Sequence, residues 1–318
     1  MSPRKTRKTA RLSSDDAYYQ MNLLRLISVI LAGVFAALAP AGMPAARSAE
    51  LKLTAAEAMP VDAEKLEWPD QLPHSRVARG TGNIAAAWLA GPTDRYPHGV
   101  LGDDREASRL VVATAGGRQL EVKLPSHRVF EDLEPRLADM DADGRDEILV
   151  VESDISMGAS LAVYAVIDRR LVAVAATPFL GLANRWLNPL GVGDFDGDGR
   201  MDVALVATPH IGGKLRLYKY QPGQLVRFAE YSGVSTHRIG STQLGLGRVV
   251  PAAPRDRLLV PDQSHQALIL LEWTPAGWIK HARVSLPATL ASSLSPVGRH
   301  VWRFDLHNGD SYTIAVVP

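Results

Sequence analysis

The chain has 318 residues, with 35 basic and 34 acidic side chains and no cysteine. Without cysteine there are no disulfides, no lipid-bearing cysteine and no thiol nucleophile. Residues 1–49 hold seven of the basic and two of the acidic residues, so the remainder carries 28 and 32, a net charge of −4 that gives no ground for binding nucleic acid.

The first element is a secretory leader over residues 21–50. Arg25 supplies the positive start, and residues 26–39 form an uncharged, mostly apolar run of 14. Pro40 and Gly42 break the run, and the small residues Ala45, Ala46, Ser48 and Ala49 follow it, as at a cleavage site. A membrane-spanning helix needs about 20 apolar residues, so an N-terminal anchor is the alternative reading. The twenty residues before Met21 are basic and atypical of a leader, which makes Met21 an alternative start. The expected organisation is residues 1–49 as N-terminal extension plus signal peptide and residues 50–318 as one domain. That domain would be periplasmic or secreted.

A short strand is expected at 51–54. Four more strands are expected at 84–89, 99–101, 110–113 and 120–124. The acidic segment 102–106 lies between the second and third of these and reads as a solvated turn. His98 lies near Asp103 and Asp104 in sequence.

Two nine-residue loops come next and carry most of the information. One places Asp139, Asp141, Asp143 and Glu147 at positions 1, 3, 5 and 9, and the other places Asp194, Asp196, Asp198 and Asp202 there. Position 6 is glycine in both, Gly144 and Gly199, which permits the sharp turn. Four carboxylates so close repel one another unless a hard cation gathers their oxygens. The loops are not EF-hands, because position 12 is Val150 in one and Leu205 in the other, where a bidentate Glu is required. Apolar runs at 148–151 and 203–206 follow directly, so each unit is strand, loop, strand.

These loops resemble the cation loops of FG-GAP or VCBS repeats, the blades of integrin alpha-subunit heads and of many bacterial propellers. The resemblance implies two Ca²⁺ sites. It implies side-chain ligands at positions 1, 3, 5 and 9 and a backbone carbonyl at position 7. The ligands would be Asp139, Asp141, Asp143, Glu147 and the Arg145 carbonyl, then Asp194, Asp196, Asp198, Asp202 and the Arg200 carbonyl.

The two loops start 55 residues apart, and the period continues. Adding 55 to Asp202 reaches Arg257, at the head of the apolar run 258–260, and adding it again reaches Tyr312, at the head of 312–317. Four-stranded units follow at 137, 148–151, 161–166 and 171–176, then at 190–192, 203–206, 215–220 and 225–231, then at 244–250, 258–260, 268–273 and 278–284. The third unit has Pro251, Pro254 and Arg255 where ligands should stand, so no metal is expected there. Strands at 301–304 and 312–317 begin a last unit, which 51–54 would complete. The fold class is all-β, a β-propeller of four-stranded blades. Five blades fit best; four, six and seven are compatible with the same pattern.

In such a blade the 1–2 and 3–4 loops share one face, and the 2–3 loops and inter-blade connectors share the other. The second face gathers Arg185, Trp186, His210, His237, Arg238 and His265, which suit an anionic or sugar ligand through charge-assisted hydrogen bonds and stacking. No glycine-flanked serine elbow, His-Glu-x-x-His motif or other catalytic set is present. The leading expectation is a monomeric, non-enzymatic module with structural Ca²⁺ that binds a protein or glycan. The alternative is a polysaccharide lyase or hydrolase with an axial His/Arg pocket.

Overall fold

The computed structural model describes residues 49–57 and 66–317. The chain divides into the units Met1–Arg47 and Ser48–Pro318, and the first, with the expected leader, lies outside the described residues. Among the described residues there is no helix, so none crosses a membrane.

Among the described residues the strands form five antiparallel four-stranded blades, of which blades 1 and 2 belong to one continuous sheet. Blade 1 is Ala78–Arg79, Ile84–Thr93, Glu106–Thr114 and Gln119–Lys123. Blade 2 is Arg136–Ala138, Glu147–Asp154, Gly158–Ile167 and Arg170–Ala176. Blade 3 is Leu187–Gly193, Asp202–Ala207, Lys214–Gln221 and Gln224–Ser232. Blade 4 is Arg248–Val250, Arg257–Pro261, Ala267–Thr274 and Gly277–Ser285. Blade 5 is Ser295–Gly298, Val301–Asp305, Ser311–Val317 and, from the other end of the chain, Glu50–Ala56. That last strand runs antiparallel to Ser311–Val317 from Glu50 opposite Val317 to Ala56 opposite Ser311. The expected closure by residues 51–54 is therefore present: the N-terminal strand covers the edge of Ser311–Val317 and becomes the outermost strand of the last blade.

Burial explains the strand sequences. Every residue of Glu147–Asp154 and of Asp202–Ala207 is buried, because a second strand is covered by neighbouring blades on both faces. Gln119–Lys123 alternates exposed and half-buried, as an outermost strand should. Blade-to-blade packing buries Leu149, Val151, Leu161, Val203 and Leu205 in one apolar cluster spanning blades 1 to 3. Each such side chain is worth about 1.5–3 kcal/mol relative to exposure.

Blade 1 departs from expectation. The segment 99–101 is a loop, although Val100 and Leu101 are buried. Gly99 and Gly102 adopt φ of 64° and 108°, which bend the chain out of any ladder, so an apolar run is buried without pairing. The true first strand is the two-residue Ala78–Arg79. A further strand, Arg128–Phe130, pairs with Glu106–Thr114 on one side and Glu147–Asp154 on the other, joining blades 1 and 2. The acidic turn is not wholly solvated either, because Glu106 is fully buried. In blade 4 the first strand is shorter than the expected 244–250.

Candidate functional site

The two acidic loops are built alike. Position 2 is an apolar anchor, Met140 in blade 2 and Phe195 in blade 3, buried in the core. Its backbone N–H donates to the position-9 carboxylate: Met140 N to Glu147 Oε2 at 2.9 Å, and Phe195 N to Asp202 Oδ2 at 3.3 Å. Position 1 accepts from the turn, with Gly144 N to Asp139 Oδ2 and Gly199 N to Asp194 Oδ2 both at 2.9 Å. Those glycines have φ of 83° and 82°, a backbone that a side chain would strain.

Each loop is also held by its neighbour. Asn83 of blade 1 accepts from Asp146 N at 2.7 Å. Asp256 of blade 4 accepts from Asp194 N at 3.0 Å and donates its own N–H to Asp194 O at 2.8 Å. The degenerate loop of blade 4 therefore survives as a brace for the intact loop of blade 3.

The oxygens of Asp139, Asp141 and Glu147 converge within 4.8 Å of one another, and so do those of Asp194, Asp196 and Asp202. Positions 1, 3 and 9 meet; Asp143 and Asp198 at position 5 stand apart from the convergence. The backbone N–H groups of Arg145 and Arg200 donate to Asp143 and Asp198 at 2.8 and 3.0 Å. Burial, with the adjacent carboxylates adding to it, pushes Glu147 and Asp202 up to about 7. Three carboxylates converging on one point form an all-oxygen donor set of the kind that suits a hard cation such as Ca²⁺.

In blade 3 positive charge comes from the chain itself. Lys219 stands opposite Asp202 in the ladder, and its Nζ contacts Asp196 and lies 2.6 Å from Asp198 Oδ2. These carboxylates hold the ammonium above its ordinary pKa.

The opposite face carries a second constellation. His98, His210, His265 and His307 lie on the 2–3 loops of blades 1, 3, 4 and 5, and His237 lies on the connector from blade 3 to blade 4. His210 Nε2 is 2.8 Å from His237 Nδ1, and His237 Nε2 is 2.7 Å from the Ser241 carbonyl. Trp186 is buried, stacks parallel to His210 at 6.0 Å, and donates its indole N–H to the Glu131 carbonyl at 2.9 Å. Burial lowers His210 to about 4 and His237 to about 3, so both are neutral at pH 7.

Of the six residues expected on this face, Arg185, Trp186 and His210 line one hollow of about 310 Å³, with His98, Asn184 and Thr208. His237 braces that hollow from behind. Arg238 lines a neighbouring depression with His74 and His307. His265 is nearly buried, pushed down to about 4 by burial and then by Arg238, and its Nε2 has no partner. His98 turns to the buried Glu131, with Nδ1 2.5 Å from Oε1, rather than to Asp103 and Asp104. Glu131 lies 33 residues from His98 and gave no sequence signal. One signal was available, since His210 and His265 stand one blade period of 55 residues apart.

Residues 139–205 match the family model described as FG-GAP-like repeat, which spans both acidic loops. The chain therefore carries this repeat, as its loop spacing implies. No curated protein matches the sequence. Among solved structures, a luciferin-regenerating enzyme aligns at 9% identity over 78% of this chain and 96% of that one, with a TM-score of 0.33. A likeness at that score carries no argument, and the fold rests on the strand pairing.

Proposed function

We propose that the protein is an exported, calcium-stabilised propeller that acts as a monomeric binding module for a protein or glycan. Its binding surface is the face of 2–3 loops and connectors. The observation that carries this reading is the apolar rim around the histidine hollow. Ile155, Met157, Leu182, Ile211 and Ile239 are between 39 and 69% exposed, and all lie on loops of that face. The 155–157 turn rests on the neighbouring connector, with Gly181 N donating to Met157 O at 2.8 Å, and Ile211 and Ile239 border the hollow itself. Exposed apolar side chains gathered on one face mark a recognition surface, and the polar hollow among them supplies groups that can fix a ligand's orientation. Capture of partners by the purified protein, in a pull-down or glycan array, tests this. Ile211→Asp with Ile239→Asp should abolish capture and leave the melting temperature unchanged. Undiminished capture by that variant would move the site elsewhere.

Calcium in this reading is structural, held by ligands within one blade and serving to fix the 1–2 loops. Export rests on the leader alone, and mass spectrometry of the mature N-terminus checks it, since an intact Met1 or Met21 would favour the anchored form.

The His210–His237 contact supports a second reading, a propeller enzyme acting on polysaccharide. Neutral, mutually bonded histidines in a hollow with an arginine are a workable acid–base group. Turnover that survives His210→Gln would remove that reading.

A further inference from the structure

The proton positions in the histidine hollow can be derived. A carbonyl oxygen only accepts, so the proton between His237 and Ser241 sits on His237 Nε2. His237 is neutral, so its Nδ1 is a lone pair, and the 2.8 Å contact requires the proton of His210 to sit on Nε2. His210 Nδ1 is then a lone pair as well, with no partner among the described residues, on a ring that lines the hollow. Because His237 is fully buried, this tautomer is fixed before any ligand arrives.

The other wall has the opposite character. Arg185 is half-buried and makes no ion pair among the described residues. Trp186 and the His98–Glu131 pair are locked to each other through Glu131, which also accepts from Ser153 Oγ and is itself fully buried. The hollow therefore offers one permanent cation and one permanent acceptor, both on a rigid support. A sulfate, which carries no donor, would satisfy Arg185 but turn lone pairs toward His210 Nδ1. A neutral sugar would satisfy His210 and leave the guanidinium without its anion. A metal ion finds no three converging ligands here, because the only such clusters among the described residues are in the acidic loops.

We infer that this hollow binds a hydroxylated carboxylic acid of monosaccharide size, an acidic sugar whose carboxylate pairs with Arg185 and whose hydroxyl donates to His210. The volume of about 310 Å³ stands at the small end of ligand pockets, which suits a ligand of monosaccharide size, and Ile211 and Ile239 can give its carbon face an apolar contact at the rim. This rests on the binding-module reading and narrows its ligand to glycans bearing uronic acids, free or at a chain end.

The test is calorimetric titration of the purified protein with glucuronate, galacturonate, glucose, inorganic sulfate and an oligosaccharide ending in a uronic acid. One or both uronates should bind. Glucose should bind about tenfold more weakly or not at all, as should either uronate to Arg185→Gln, since each case removes one charge-assisted pair. His210→Phe should weaken uronates and also lower the melting temperature, because it strips the buried His237 Nδ1 of its donor, and His210→Gln, whose amide both donates and accepts, should restore part of both losses. Tighter binding of the oligosaccharide identifies the chain end as the natural source; equal binding identifies the free acid. Sulfate binding as well as either uronate, or glucose doing so, would overturn the assignment. So would silence from both uronates; if the apolar-rim variant still abolished partner capture, the binding-module reading would survive that loss.

Discussion

The loops of blades 2 and 3 share ligand spacing, apolar anchor, glycine turn and neighbouring brace, yet differ at one cross-strand position. Opposite Asp202 stands Lys219, whose ammonium reaches two of the loop's carboxylates. Opposite Glu147 the ladder places Ala165, one step beyond the Ile148–Tyr164 pair. Blade 4 completes the series: Arg257 occupies the position-9 slot, and Nε lies 3.0 Å from Glu272 Oε2 on the adjacent strand. The same place in the blade thus holds carboxylates with no lysine opposite, carboxylates paired with a lysine, or an arginine paired with a glutamate across the ladder. The lesson is that carboxylates gathered at this corner call for positive charge, and its source can change while the backbone stays.

The largest expected effect follows from blade 2, whose loop has no lysine across the ladder. Calcium at a hundredfold excess over Kd stabilises each filled loop by about 2.7 kcal/mol. Thermal unfolding in millimolar calcium should therefore exceed that of metal-stripped protein. Asp141→Ala should remove the blade 2 share in calcium and change little without it; equal losses in both conditions would mean that no metal binds there.

Blade 4 should behave in the opposite way. Arg257→Ala leaves Glu272 facing only His281 in a mostly buried corner, at a cost of about 2 kcal/mol after allowing for its partial exposure. That loss should be the same with and without calcium. A calcium-dependent loss would show that blade 4 still takes part in metal binding.

Lys219→Ala divides the two regimes. Without metal it should lower stability by about 0.5–1 kcal/mol, the worth of a partly exposed pair. In calcium the sign should reverse, because Asp198 is released to the cation and repulsion by the ammonium is lost. Titration calorimetry should then show the weaker of two sites becoming tighter; an unchanged pair of affinities would show that the lysine and the ion do not compete.

Much of this was legible because it is local. Ligands at alternate positions and a period of 55 specify blades 2, 3 and 4 without knowledge of any contact. Strands with weak signals were lost. Ala78–Arg79 has two residues, and Ser295–Gly298 is exposed throughout and contains Pro296. Val100 and Leu101 misled because a buried loop and a buried strand use the same side chains. The histidine hollow was legible as a face but not as a site. His98 meets Glu131 across 33 residues and His210 meets His237 across 27, and only the ring of blades brings such loops together. Lys219 was hidden for the same reason, since its importance lies across the strand and not along it.

The smallest effect, and the most specific, is the pH dependence of the calcium response. In metal-free protein Glu147 and Asp202 titrate near about 7, against about 4 when unfolded. A carboxyl with a raised folded pKa binds more protons folded than unfolded across that window. Its stabilisation is complete below about pH 4 and is lost as pH rises through 7. The histidines act in the other direction: with folded values of about 3 for His237 and about 4 for His210 and His265, their stabilisation holds above 6.5 and is lost on acidification. These opposing trends overlap in any single melting curve. The histidines lie on the far face and titrate alike with or without metal, so they cancel in the difference between the two conditions. What remains is the carboxylate term, in which calcium replaces a proton. The rise in melting temperature on adding calcium should therefore be larger at pH 8 than at pH 5, and Lys219→Ala should widen that gap because it removes the competing cation. A rise of the same size at both pH values would mean that the position-9 carboxylates are already ionised in the metal-free chain, and that the cation does not bind by displacing a proton.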